Sequence, residues 1–394
     1  KSTDEKWVKS EIKGFYHDSS LFFDDDGKVY IVYGNRRIWL TELAEDLSGP
    51  KENGLNRIIV SEDDNPSLAY EGAHFYKIEG QYYVLLIHSL PDQWKRTQAC
   101  YTSDSLTGLF VGGDILNDDI GYYDQGVAQG GIVDTPEGEW YAILFQDRGA
   151  VGRVPVLAPL SWKDKYPVIG ENKKIPAKFS VTSTKENYMY TPLFGSDDFK
   201  TKTPLLHGLQ SFWQFNHEPH LDGYSVNYEE GYIEITNKSV QQEFTQAHNM
   251  LTQRMLFPSS AAEVTVDASA LKEGDIAGIA ALQYQYAFIG VTLENNEYFV
   301  VYQSATKQES ERVLYKEIKK MPVIDPSQIT FKVEANFKDQ IDTIRFFYED
   351  IQIGSPHHVA FDIEYFTGCR YALFNWATKE INGSARFSQF DYLQ

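Results

Sequence analysis

Three polar side chains stand at one repeated place in the first half of the chain. Asp18, Glu71 and Gln129 each lie nine residues before a glycine that follows an acidic residue: Gly27, Gly80 and Gly138. Two carboxyl groups and a carboxamide brought to one cleft can do acid–base work on a neutral substrate. In glycoside hydrolysis one carboxyl group protonates the leaving oxygen, and a second carboxylate activates water or attacks the anomeric carbon. A single Asp or Glu is ordinarily a solvated or turn-capping residue, and Asp24, Asp25 and Asp26 read that way. Asp18 and Glu71 differ from these in sharing a register.

That register belongs to a repeat. Asp26-Gly27-Lys28-Val29-Tyr30, Glu79-Gly80-Gln81-Tyr82-Tyr83 and Glu137-Gly138-Glu139-Trp140-Tyr141 each carry an acidic-Gly turn into an aromatic, β-branched run. Glycine supplies the positive φ of a tight turn and the following residues favour a strand, so each unit reads as a hairpin. A short apolar stretch precedes each turn: Leu21-Phe22-Phe23, Ala73-His74-Phe75-Tyr76 and Ile132-Val133. The glycines are 53 and 58 residues apart. Four-stranded propeller blades repeat at roughly 40–50 residues, more with long loops; a plain antiparallel meander is the alternative. Equivalent positions in successive blades lie at equivalent places around the central axis. If the first strand of each hairpin is innermost, Asp18, Glu71 and Gln129 converge on the mouth of one channel.

The sequence around these residues resembles glycoside hydrolase family 43. Tyr16-His17-Asp18-Ser19-Ser20-Leu21-Phe22-Phe23 and the acidic turn after it resemble the family's Asp-Pro-Ser strand, with Ser19 where Pro is usual. The resemblance makes Asp18 the auxiliary carboxylate that raises the acid's pKa and orients it. Tyr70-Glu71-Gly72-Ala73-His74 resembles the Glu-Gly-Pro block, which makes Glu71 the general acid. A like charge nearby and partial burial would keep such an acid protonated near neutral pH.

Further blocks follow in order. Arg96-Thr97-Gln98-Ala99-Cys100-Tyr101 and Ser105-Leu106-Thr107-Gly108 resemble the outer part of the acid's blade, and Gln129-Gly130-Gly131-Ile132-Val133 the next inner strand. Many family members carry at the Gln129 position a His that ligates a central calcium or a water cluster. Gln is a weaker ligand, so no cofactor is required and a structural Ca²⁺ on the axis stays an option. Gly152-Arg153-Val154-Pro155-Val156 resembles the strand whose Arg binds the innermost sugar. Arg153, Gln129 and His17 are therefore candidate substrate contacts, with a structural ion pair the other reading of Arg153.

The resemblance also implies what is missing. The family's third carboxylate, the general base, lies on a blade before the equivalent of Asp18, and only 17 residues precede Asp18 here. Asp4 precedes no hairpin glycine and is not a candidate. The base is expected upstream of Lys1. A five-bladed propeller needs five units and three are present, so an N-terminal segment is expected as a separate chain, a cleaved piece or an omitted part. An open propeller would otherwise leave a bare strand edge and an apolar face.

From Tyr166-Pro167 to Phe194-Gly195 the chain reads as a linker. Beyond it the acidic-Gly repeat stops, and short alternating runs such as Tyr232-Ile233-Glu234-Ile235-Thr236 and Tyr298-Phe299-Val300-Val301-Tyr302 suggest an antiparallel sandwich. Phe212-Trp213-Gln214-Phe215, Leu251-Thr252-Gln253-Arg254 and Gly274-Asp275-Ile276-Ala277-Gly278 resemble the concanavalin-like jelly roll appended to family 43 β-xylosidases, where a loop can wall the pocket and make it exo-acting. Its aromatics read mainly as core. The expected fold is all-β, a partial five-bladed propeller over 1–194 followed by a sandwich over 195–394. The expected activity is an inverting exo-glycosidase on xylo- or arabino-oligosaccharides. β-Xylosidase leads, α-L-arabinofuranosidase follows, and a non-catalytic carbohydrate-binding propeller is the competing class.

The bulk numbers agree. Among 394 residues, 56 Asp and Glu against 36 Lys and Arg give a charge of −20, which disfavours nucleic acid and anionic membrane as partners. Aromatics at 14 % suit strands. Cys100 and Cys369 make no disulfide framework or CxxC motif and read as separate buried thiols. No apolar run approaches the ~20 residues of a membrane span, and Lys1–Trp7 has no signal-like segment. Compartment is left open, with a secreted or periplasmic place favoured over a cytoplasmic one.

Overall fold

The computed structural model describes residues 7–181, 185, 187–308, 311–313 and 319–394. The chain forms two compact units, Lys1–Arg148 with Val154–Ser183, and Gly149–Arg153 with Thr184–Gln394. No described helix is long and apolar enough to cross a membrane.

The first unit contains three four-stranded antiparallel sheets, each with its strands in chain order. The first is β1 (Ser20–Phe23), β2 (Val29–Tyr33), β3 (Arg37–Glu42) and β4 (Asn56–Ser61). The second is β5 (Glu71–Ile78), β6 (Gln81–Leu90), β7 (Gln93–Ser103) and β8 (Val111–Leu116). The third is β9 (Ala128–Asp134), β10 (Trp140–Asp147), β11 (Arg153–Lys163) and β12 (Tyr166–Ile169). Gly27, Gly80 and Gly138 turn the three hairpins at φ of +82°, +79° and +83°, in open space, so backbone freedom alone requires glycine there.

β12 corrects the linker reading. Tyr166–Ile169 pairs with Leu160–Lys163 as an outer edge strand, and Pro167 fits there because an edge position has no second ladder needing its N–H. Residues 149–153 group with the second unit. They are held by Ala150 N–H to Asp342 Oδ2 (3.0 Å), Cys369 N–H to the Ala150 carbonyl (2.8 Å) and Arg153 N–H to the Phe366 carbonyl (2.8 Å).

Burial follows the sheet order. In β6, Tyr82, Val84 and Leu86 face a core shared with Phe22, Tyr30 and Val32 of the first sheet. The alternate residues Tyr83 and Leu85 face a core shared with Ile132, Ala142 and Leu160 of the third. A strand buried on both faces must be apolar throughout, and Tyr-Tyr-Val-Leu-Leu-Ile is. The flanking sheets are covered on one face and carry exposed apolar side chains on the other: Leu21 and Phe23 on β1, Val133 and Ile143 on the third sheet. Asp24, read as a turn residue, also ties two sheets together through Lys77 Nζ (2.7 Å) and Tyr82 Oη (2.9 Å). Burial alone would raise its carboxyl, but these donors outweigh it and hold the group below its ordinary value.

The second unit is a sandwich of two seven-stranded sheets. One runs Gln214–Phe215, Leu251–Arg254, Arg370–Ala377, Asp275–Leu282, Ala287–Glu294, Glu297–Ser304 and Lys319–Val323. The other runs Tyr224–Asn227, Tyr232–Thr236, Ser384–Leu393, Ser259–Asp267, Ile329–Asn336, Thr343–Tyr348 and Ile351–His358. Ser259–Asp267 and Ile329–Asn336 alternate buried and accessible residues along their length, the pattern of a sheet with one face inward. Trp213 is core, its indole N–H donating to Asp197 Oδ2 at 2.9 Å. Cys100 and Cys369 are both buried free thiols.

A polar network crosses the sandwich interior. Asn237 donates to Asp275 Oδ1 (3.1 Å) and Asn375 Oδ1 (3.0 Å), and Lys272 N–H donates to Asp275 Oδ2 (2.8 Å). Burial pushes the Asp275 carboxyl up to about 6, against these donors. The folded chain thus holds this proton more tightly than an unfolded one. The contribution to stability is full below pH 4, falls as pH rises to about 6, and is level above that, a loss on the order of 2–3 kcal/mol. Urea unfolding of the wild type and an Asp275→Asn variant across pH 4–8 should show this slope only in the wild type.

Candidate active site

The inner strands β1, β5 and β9 begin with the same backbone irregularity. In β9, Gln129 and Gly130 together oppose Leu144, because Ala128 pairs with Phe145 and Gly131 with Ile143. In β5, Gly72 and Ala73 oppose Leu86, because Glu71 pairs with Ile87 and His74 with Leu85. At β1, Gly34 N–H donates to the His17 carbonyl (3.0 Å) while Ser20 pairs with Val32, so Asp18 and Ser19 oppose Tyr33. These are three equivalent β-bulges, devices that re-aim side chains at a strand end. The first bulge residue is left-handed in each: Asp18 at φ +45°, Gly72 at +66° and Gln129 at +56°.

The bulges correct the register count. Counting nine residues back from the turn glycine aligned Glu71 with Asp18 and Gln129, whereas the backbone puts Gly72 there and Glu71 opposite His17 in rank. The turn between β5 and β6 has two residues between its closing pair, Ile78 and Gln81, whereas Phe23 and Val29 close a longer one. An ideal Cβ at Gly72 would lie 2.7 Å from Gln129 Nε2, so glycine leaves the space that the Gln129 side chain fills.

The side chains nevertheless meet. Gln129 Nε2 donates to Asp18 Oδ2 at 3.1 Å, and Gln129 N–H donates to Gln98 Oε1 at 2.7 Å. His17 Nε2 lies 3.0 Å from Glu71 Oε2 and 3.7 Å from Asp18 Oδ2. Asn35 Nδ2 donates to the same Glu71 oxygen at 2.7 Å. Glu71 Oε2 is thus occupied twice, and Oε1 is the oxygen left to face a ligand. The Glu71 side chain is 16 % exposed against 37 % for Asp18, so Glu71 is the more enclosed of the two. Behind it, Tyr70 packs on the buried His88 ring at 4.7 Å and bonds Tyr101 Oη at 2.8 Å. His88 bridges Glu62 and Asp114 at 3.0 and 2.9 Å. Burial would lower this imidazole, but the Asp114 and Glu62 carboxylates prevail and hold it above its ordinary value.

Asn35 and His74 were not singled out from sequence. Asn35 follows Gly34 at the end of β2, and a hairpin's second strand returns to the level where its first began, so this end was a readable position. His74 is pushed below its ordinary value by burial, with the Asp18 charge acting the other way. Arg153 opens β11 but groups with the second unit, its guanidinium over the Phe366 ring at 4.9 Å. Asp4 lies outside the described residues.

Ligand atoms of His17, Asp18 and Glu71 lie within 4.8 Å of one another, the one such group among the described residues. Calcium takes six to eight oxygens. This trio offers two carboxylates already bonded to Asn35, His17 and Gln129, and Gln129 points its nitrogen at Asp18.

A family model described as glycosyl hydrolases family 43 matches residues 2–167, and one described as beta xylosidase C-terminal concanavalin A-like domain matches 196–393. The chain belongs to glycoside hydrolase family 43. A "Beta-xylosidase" of Formosa agariphila is 22 % identical over 98 % of this chain and 70 % of its own length. A "Xylosidase/arabinosidase" of Butyrivibrio fibrisolvens is 29 % identical over 39 % of this chain. The solved structure of a bifunctional GH43-CE protein of Bacteroides eggerthii superposes with a TM-score of 0.84 at 35 % identity, covering 99 % of this chain. This family 43 chain spans 33 % of the B. fibrisolvens protein and 49 % of the B. eggerthii one.

The bulge geometry carries a prediction. Gly72→Ala adds strain at positive φ and a clash with Gln129, whereas Gly27→Ala adds strain alone. Urea midpoints should give a loss of about 1 kcal/mol for Gly27→Ala and at least about 2 kcal/mol for Gly72→Ala. Equal losses would mean that Gln129 moves aside freely.

Proposed function

We propose that the chain is part of an inverting exo-glycosidase that releases xylose or arabinofuranose from oligosaccharides of xylan or arabinoxylan. The observation that carries the reading is the carboxylate pair on the bulges: Glu71 with one oxygen fixed by Asn35 and His17 and the other open, and Asp18 beside it, tied by Gln129. Glu71 is the general acid, delivering its proton to the glycosidic oxygen as the bond to the anomeric carbon breaks. Asp18 orients the acid and the sugar. His17 and Gln129 stand where they can contact the ring, and Arg153 is kept as a sugar contact on the strength of the resemblance alone.

Asp18 is not the base. Inversion needs about 6.5–9.5 Å between acid and base to admit water, and oxygens of Asp18 and Glu71 lie within 4.8 Å. The base is expected on a further blade upstream of Lys1, as the family resemblance implies. Exposed apolar faces on the first and third sheets support further blades packed there, one of which would carry it. The leading substrates are β-1,4-xylo-oligosaccharides, because the sandwich matches a β-xylosidase model. α-L-Arabinofuranosides come next, in keeping with the double name of the B. fibrisolvens relative. A non-catalytic sugar-binding role has one observation in its favour: the close group His17, Asp18 and Glu71 holds two carboxylates and no third.

A panel of 4-nitrophenyl glycosides on the full-length protein should show release from the β-xyloside, and proton NMR should show α-xylose as the first product. β-Xylose first would make Asp18 a nucleophile and overturn inversion. Glu71→Gln should lose about 10²–10⁴ in kcat on unactivated xylo-oligosaccharides and far less on a good leaving group. Binding of sugar without turnover by the full-length protein would favour the non-catalytic reading.

A further inference from the structure

At the turn end of the second and third sheets lies a cavity of about 240 Å³ lined by Ile78, Glu79, Gln81, Tyr83, Trp140, Trp162 and Lys165. The sequence explains its position. Trp140 opens β10 after the turn at Gly138, Trp162 is the last residue but one of β11, Glu79 sits in the β5–β6 turn and Gln81 opens β6. β5 runs from Glu71 to Ile78, so the cavity is about 23 Å from the carboxylates along that strand, at ~3.3 Å per residue. It is a separate place on the molecule.

Its walls are aromatic and its rim is polar. Trp140 and Trp162 stand edge-to-face with centroids 5.2 Å apart, and Tyr83 meets Trp162 at 5.4 Å. Tyr83 is fixed by its hydroxyl, which donates to the Lys165 carbonyl at 2.9 Å. The two indole planes stand at 85° to each other, and both rings line the cavity. A core aromatic cluster would close on itself, but here both tryptophans remain only partly buried. No hydrogen bond within the chain, among the described residues, engages either indole N–H, the Gln81 carboxamide, the Glu79 carboxylate or the Lys165 ammonium.

We propose that this cavity binds one ring of a neutral oligosaccharide, as a second sugar site distinct from the carboxylate centre. The axial C–H groups of a pyranose are weakly positive and lie well on the negative face of an indole. The equatorial hydroxyls point sideways, where they need donors and acceptors in a plane. The two indole N–H groups, the Gln81 amide and the Glu79 and Lys165 heads supply both. The opposite charges of Glu79 and Lys165 cancel, which suits an uncharged ligand better than a uronate or a phosphate. The volume admits about one ring, so a longer chain would lie with its neighbouring units in solvent. Such a site would hold a polysaccharide near the enzyme without occupying its catalytic pocket. That the sugar is a xylan-type pentose rests on the function proposed above; that it is a neutral sugar does not.

The test is a titration of the ¹⁵N-labelled full-length protein with xylotriose, followed through the indole N–H resonances of Trp140 and Trp162. Trp140→Phe and Trp162→Phe assign the two signals while keeping an aromatic ring in the packing. Saturable shifts of both signals are expected. Trp162→Ala, checked for folding by circular dichroism, should weaken binding roughly tenfold, the scale of one lost aromatic contact, and Gln81→Ala should weaken it less. Shifts with cellotriose but not xylotriose would uphold the site while counting against the pentose reading. No saturable shift at either indole with any neutral oligosaccharide, in a protein that still hydrolyses a nitrophenyl glycoside, would overturn the site and leave the catalytic reading intact.

Discussion

The centre depends on three residues held in left-handed backbone at the start of three inner strands. Asp18, Gly72 and Gln129 each occupy the first position of a bulge at positive φ. For Asp and Gln this conformation is costly, and it persists because both side chains are tied at the axis, Gln129 to Asp18 and its own N–H to Gln98. Without the bulges these residues would follow the regular alternation of a strand. Glu71 precedes the glycine bulge, so its side chain emerges one residue earlier and meets His17, which precedes the Asp18 bulge. The same device, used three times, gives one blade a carboxylate, one a gap and one a carboxamide.

The sheets serve this geometry by burial. The second sheet is covered on both faces, which explains its continuous apolar β6 and makes it the most firmly held support for Glu71. The first and third sheets bury one face each. Ties such as Asp24 to Lys77 and Tyr82, or Tyr76 Oη to the Ile132 N–H at 3.0 Å, fix neighbouring sheets where their inner strands approach. A small displacement of one blade would separate Asp18 from Gln129, so packing at the turn ends and bonding at the bulge ends support one another.

Much of this was legible in the sequence. The acidic-Gly-aromatic repeat located all three hairpins, because a positive-φ turn beside a β-branched run has few other solutions. Alternation located the strand Tyr232–Thr236, whereas Glu297–Ser304 was located by its β-branched and aromatic run and is buried continuously from Val300 on. The exact equivalence of positions was not legible: a turn shorter by a few residues in the second hairpin is offset by its longer strand, and a count back from glycine cannot see either. The Tyr166–Ile169 strand was missed because proline in a short segment reads as a breaker, although an edge strand tolerates it. Asn35 was missed because it has no motif of its own; it reaches Glu71 only through the pairing of β1 with β2.

The central claim is that the bulge residues and Glu71 make one sugar-binding centre. A crystal structure of the full-length protein carrying Glu71→Gln, soaked with xylobiose, addresses it directly. The account predicts a pentose ring at the bulge ends of β1, β5 and β9, with its glycosidic oxygen within hydrogen-bond reach of residue 71 and a hydroxyl near Asp18. Xylobiose bound only away from these strand ends, with the Asp18–Gln129 pair untouched, would contradict it.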